Sequence, residues 1–193
     1  MNRSVSWHLS VWSLVAALMG CAPLMPAPPA MPLETQQAFG IQNDVVFPLQ
    51  EGGVQLWYRR ALSEDKEYFL QAGTLLGIGV FPYAGGGVRR YWVQPSPESG
   101  SLWSLGTEIS GGIGFWGQLG LPVSRKLGHK PVWLTTHPSV GYSGFGLLHV
   151  PVGLSVRLSD GLELNTQAGA WFFREFTLDP PRVYATGGLS FPW

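Results

Sequence analysis

Charge is scarce in this chain. Asp, Glu, Lys and Arg make up 12% of its 193 residues, against about 25% in ordinary soluble domains, and they cancel, 12 basic against 12 acidic. Without a basic stripe to neutralise phosphates, the composition argues against a nucleic-acid partner. Cysteine is scarcer still: Cys21 stands alone, so no internal disulfide can form. The four histidines, His8, His129, His137 and His149, show no metal-ligand spacing and no cysteine companions. No metal site is expected, and nothing in the chain asks for a cofactor. Helical periodicity is missing too, since beyond Ala38 no convincing stretch places apolar residues at i, i+3, i+4 and i+7. Gly85-Gly86-Gly87 lacks a following helix or Lys-Ser/Thr, which excludes a phosphate loop and reads as a flexible loop hinge.

What is abundant is packing material. The chain is 45% hydrophobic, with 26 Gly and 9 Trp, so it can bury a core and is not a disordered polymer. Its length suits one domain.

The N-terminus has three parts: Arg3, an apolar stretch from Val11 to Met19, and small residues after it. That is the layout of a secretory signal, too short for a permanent spanning helix. It ends Leu18-Met19-Gly20-Cys21, which resembles the lipobox of bacterial lipoproteins. The resemblance implies cleavage of a signal peptide over 1–20 and attachment of diacylglycerol to Cys21, with palmitate among the acyl chains. Two or three chains anchor firmly, where one would be marginal. Ala22 follows the cysteine where Asp commonly means inner-membrane retention, so the resemblance points to the outer membrane and to handling by the lipoprotein-sorting machinery. Five prolines between Ala22 and Pro32 then forbid a regular helix, and residues 21–37 read as a tether. The folded domain is expected over 38–193.

Within that domain the period is two. Leu148, Val150, Val152, Leu154, Val156 and Leu158 point one way, and His149, Pro151, Gly153, Ser155 and Arg157 the other. After Ser159-Asp160-Gly161, a tight hairpin turn, alternation resumes from Leu162 to Phe172. The same pattern runs through 109–123 and 68–80. A weak repeat links Gln55 to Ser63, Leu119 to Gly128 and Val152 to Ser159, so the domain is expected to be built from hairpins.

Alternation alone does not say which face meets solvent, but the second face holds Gly, Ser, Gln and Asn with few charges. That suits the crowded interior of a narrow barrel with an apolar exterior, where Arg59, Glu108, Arg157 and Glu163 could pair with one another. The chain closes Val183, Ala185, Gly187, Leu189, Phe191, Trp193 on one face, which resembles the terminal signal of outer-membrane barrels. The likeness implies insertion by the barrel-assembly machinery among outer-membrane lipid. Tyr68, Phe81, Tyr83, Trp133, Tyr142, Phe172 and Phe173 fit interfacial girdles.

The fold expected is all-β, a closed antiparallel up-and-down barrel with both ends on the periplasmic side and an even strand count. Eight strands follow if 106–125 is one strand and 81–105 a long external loop. Ten follow if Val88 to Gln94 is a strand and Gly111-Gly112 a turn.

One constellation could carry chemistry. His137 and Ser139, two apart on a strand, share a face and could act as base and nucleophile. His137-Pro138-Ser139 resembles the His-x-Ser of outer-membrane lipid A deacylases, although Val140-Gly141 replace the usual Asn and Gly and no downstream carboxylate is suitably placed. The leading expectation is a non-catalytic outer-membrane barrel, as an envelope structural protein or narrow channel. The alternatives are a soluble lipid-tethered barrel that binds an apolar ligand or protein partner, and a lipid A hydrolase.

Overall fold

The fold is drawn from a computed structural model, and the structure describes residues 28–29, 31–32, 35–47, 51–76, 80–96, 101–113, 116–128, 131–142, 146–173 and 182–193. Regular structure there is strand throughout: β1 (Gln37–Phe47), β2 (Glu51–Ser63), β3 (Lys66–Leu76), β4 (Val80–Val93), β5 (Trp103–Gly112), β6 (Trp116–Gly120), β7 (Val123–Lys126), β8 (Val132–Thr136), β9 (Ser139–Tyr142), β10 (Gly146–Ser159), β11 (Leu162–Phe173) and β12 (Arg182–Pro192). β12 pairs with β1, neighbours pair in chain order, and β10 returns to β11, so the sheet closes with every pairing antiparallel.

Two staves are made of two segments each. Against β5, Glu108 faces Gly120 and Leu105 faces Val123, the same offset on both sides of the break between β6 and β7. Against β10, Thr136 faces Val152 and Tyr142 faces Gly146, so β8 and β9 also continue one another. The barrel therefore has ten staves, not eight. Residues 81–105 are not a long loop, because β4 occupies most of their first half. Gly85-Gly86-Gly87 is no hinge either, being paired to β3 and β5 within that strand. The supposed single strand over 106–125 is a hairpin in which Gly112 faces Trp116. Three residues connect them, and an odd connection keeps inward parity, so alternation passes through the turn unbroken.

The hairpin repeat has a structural counterpart. β2–β3 and β10–β11 each carry a register shift just before the turn, between Ala61 and Ser63 and between Arg157 and Ser159. The skipped residues, Leu62 and Leu158, both stand out exposed.

The faces are inverted relative to a soluble barrel. On β10, Leu148, Val150, Val152 and Leu154 are exposed, while His149, Pro151, Gly153 and Ser155 are buried. Around the wall Ile41, Val54, Leu56, Leu70, Val88, Ile109, Leu119 and Val140 continue that apolar exterior. Inside, large rings lie over glycines directly opposite on the next strand: Trp57 over Gly40, Phe69 over Gly87, Tyr83 over Gly73 and Tyr184 over Gly169. A methyl group on any of these glycines would collide with the ring. These four glycines are thus the counterparts of inward aromatic rings, as close packing of a narrow bore requires.

Tyr83 and Trp133, expected in girdles, point inward and are buried, whereas Tyr142 and Phe172 face outward. The side chains of Phe81 and Phe173 lie outside the described residues. Among the described residues the outward tryptophans are Trp92, Trp103 and Trp193, all at the end of the barrel where β1 begins and β12 ends. There Gln37 and Trp193 exchange backbone hydrogen bonds of 3.2 and 3.0 Å, stapling the two ends together.

Candidate functional site

The polar residues converge inside the bore. Strand register places Glu67, Arg89, Glu108, Gly120, Ser139, His149 and Trp171 in one row, each opposite the next. Its first part is an ion-pair cluster. Arg59 Nη2 donates to both Glu67 oxygens at 2.8 and 2.7 Å, Arg89 Nη1 donates to Glu67 Oε1 at 3.3 Å, and Arg89 Nε donates to Glu108 Oε2. The Tyr91 hydroxyl donates to Glu67 Oε1 at 3.3 Å, and the Arg89 guanidinium sits 4.9 Å from the Phe69 ring centroid. Two arginines and two glutamates leave no net charge, which buried ions require.

The two guanidinium groups also reach the chain's own proline-rich segment. Arg89 donates to the carbonyls of Pro29 at 2.8 Å and Pro28 at 2.7 Å, and Arg59 donates to that of Met31. Pro28 and Met31 are buried. The stretch expected as a tether therefore enters the bore at these residues. Proline suits the place physically: it offers a carbonyl acceptor and brings no N–H that would need a partner.

Three further networks fill the rest. Arg157 Nη2 donates to Glu163 Oε1 at 3.0 Å, Ser190 donates to Glu163 Oε2 at 3.2 Å, and Asn165 donates to Ser190 at 2.8 Å. Gln42, Gln55 and Gln71 form a ladder of 2.9 Å bonds across β1, β2 and β3, and Gln42 also donates to Asp44. Tyr184 bonds His149 Nε2 at 2.7 Å, accepts from Gln167 at 2.6 Å and stacks on Trp171 at 4.1 Å.

Of the four residues expected to pair, Arg157 and Glu163 meet each other, while Arg59 meets Glu67 and Glu108 meets Arg89. Glu67 occupies an inward position of an alternating strand, so parity could have marked it. Arg89 falls in a loop in the eight-strand reading and in a strand only in the ten-strand one. The carbonyls of Pro28, Pro29 and Met31 carry no sequence signal, since backbone acceptors look the same everywhere. Cys21 lies outside the described residues.

His137 and Ser139 share a face, as their spacing implies, and that face is the inward one, but they do not partner each other. Ser139 Oγ lies 3.4 Å from His149 Nδ1, the residue opposite it on β10. His137 Nε2 is 3.4 Å from Glu108 Oε2, and neither of its ring nitrogens has a hydrogen-bond partner among the described residues. A Ser···His contact can activate a hydroxyl, but here the base is held by a tyrosine instead of a carboxylate and both groups are buried in the wall's interior. Among the described residues no group of three or more His, Cys, Asp or Glu is placed to hold a metal. Arg59, Arg89, Glu108, Gln55 and Tyr184 are each at most 1% exposed, so no water reaches these side chains.

No family model matches the chain, and no curated protein matches it. Among solved structures it is similar to the crystal structure of the N-terminal β-barrel domain of Pseudomonas aeruginosa OprF, at 9% identity and a TM-score of 0.41, covering 83% of this chain and 100% of that one. The register and faces of this chain, not that likeness, fix its architecture as a closed, inside-out β-barrel.

Proposed function

We propose that the protein is a non-catalytic β-barrel lipoprotein of the bacterial outer membrane, with a structural role in the envelope instead of a pore's. The observation that carries this is the inversion of β10, apolar residues exposed and polar ones buried, which suits hydrocarbon outside and would expose too much apolar surface in water. The buried, hydrogen-bonded side chains of the interior favour the structural role over a narrow channel. In this reading the signal peptide over 1–20 is removed, and Cys21 carries diacylglycerol and palmitate on the periplasmic side. The barrel-assembly and lipoprotein-sorting machineries deliver the two parts.

The test separates the anchors. A Cys21→Ser variant keeps the barrel but loses the lipid, so it is expected to resist alkaline-carbonate extraction and to migrate differently on gels before and after heating. Release into the soluble fraction as a folded protein would replace this reading with that of a lipid-tethered soluble barrel. For catalysis, His149→Ala is expected to leave lipid A masses unchanged on overexpression, and a shift seen with the natural chain alone would reverse the non-catalytic assignment.

A further inference from the structure

The barrel wall has a weak seam. Leu121-Pro122 and His137-Pro138 interrupt neighbouring staves at matching positions. Leu121 donates its amide to the Pro138 carbonyl at 2.9 Å, but Pro138 has no N–H to return to Leu121. One stave over, Gly106 donates to the Pro122 carbonyl at 2.9 Å, and Pro122 likewise cannot reciprocate. Two ladder bonds are therefore missing side by side.

Over this seam the exterior carries a groove of about 470 Å³, within the range of pockets that hold small ligands. Two rows of outward residues run across the four staves and bank it. Ile109, Leu119, Val140 and Leu148 stand opposite one another in one row, and Thr107, Leu121 and Pro138 in the next. The first row is tall and apolar, with Ile109 67% and Leu119 56% exposed. In the second, Thr107 and Pro138 are short, which opens the trench between them. Glu108 and Ser139 belong to the inward face of the wall, so the groove offers a headgroup no charged side chain and only the Thr107 hydroxyl.

We propose that this groove is a binding site for one acyl chain of a membrane lipid, lying across the staves over the proline seam. The occupant follows from place and chemistry: the groove crosses four staves, is lined mainly by apolar side chains and is continuous with the hydrocarbon-facing belt. The inference rests on the reading of the barrel as membrane-inserted.

The experiment uses the full chain in vesicles of phosphatidylethanolamine and phosphatidylglycerol doped with a phospholipid carrying a photoreactive diazirine in its acyl chain. Adducts mapped by mass spectrometry are expected to concentrate on Leu119, Leu121 and Val140, several-fold above Leu56 and Leu70 elsewhere on the belt. Val140→Trp, which fills the trench, should remove that excess and leave the other adducts unchanged. Thr107→Leu is the milder second variant should Val140→Trp fail to fold. Adducts spread evenly over the belt, or an excess that survives filling, would overturn the site while leaving membrane insertion intact. Absence of adducts anywhere on the belt would overturn both.

Discussion

Arg89 Nη2 donates to the carbonyl of Pro28 at 2.7 Å, joining the middle of the barrel wall to a segment sixty-one residues earlier. The same guanidinium holds Glu67 and Glu108, so one side chain ties the N-terminal segment, β3 and β5 together inside the bore. Truncating it leaves the buried Glu108 carboxylate without its guanidinium and Glu67 with Arg59 alone. Arg89→Ala is expected to lower stability by about 3–5 kcal/mol, read as a fall in the unfolding midpoint in detergent. Removing Glu108 together with it, as Arg89→Met with Glu108→Leu, should restore much of the loss.

The buried segment gives its own readout. Met31 is 4% exposed, so a Met31→Cys variant, made with Cys21→Ser, should resist maleimide in the native barrel. Adding Arg59→Gln and Arg89→Gln removes the donors to the three carbonyls, and labelling should rise markedly. Equal labelling of both would mean that the segment does not reside in the bore.

Gly120 and His137 occupy a shared space, because a Cβ on Gly120 would fall on the imidazole. Gly120→Ala is expected to cost about 1–3 kcal/mol through overpacking. His137→Ala in the same chain should relieve most of it, a coupling measurable by a double-mutant cycle.

The belt separates membrane from water. Leu154→Arg places a cation at an outward position midway along β10, which in a bilayer costs about 2–4 kcal/mol near the midplane. Folding into vesicles should fall accordingly. In a soluble barrel the same change would be harmless, since the residue would meet water.

Acid acts visibly on the β2–β3 turn. The Ser63 hydroxyl donates to Asp65 Oδ1 at 2.7 Å and Arg90 Nε to Oδ2 at 3.0 Å, and the first of these bonds chiefly holds the Asp65 carboxyl below its usual range. A lowered folded value means the carboxylate favours the fold above the ordinary value of about 3.9, and that contribution is lost as pH falls through the lowered value. Carboxyl-carbon NMR should give a midpoint below that of a free aspartate, and Ser63→Ala should move it back up.

The sequence by itself determined the hairpin construction, the inward and outward sets and the Asp160-Gly161 turn, because side-chain direction in a strand follows parity and each hairpin is local. It also placed Arg59, Glu108, Arg157 and Glu163 on the inner face, and His137 and Ser139 on a shared one. The tertiary structure decided what parity cannot carry. Ten staves close where the sequence allowed eight or ten, because β4 pairs between β3 and β5, and the three-residue connection from Gly112 to Trp116 keeps alternation unbroken and so hides its turn. Which inward groups meet depends on register between strands: Ser139 finds His149 instead of His137, Arg89 finds Glu108, and the carbonyls of Pro28 and Pro29 find Arg89 from far along the chain. Those pairings arise only when the barrel shuts, since closure brings distant strands into contact and leaves buried charges no solvent to pair with.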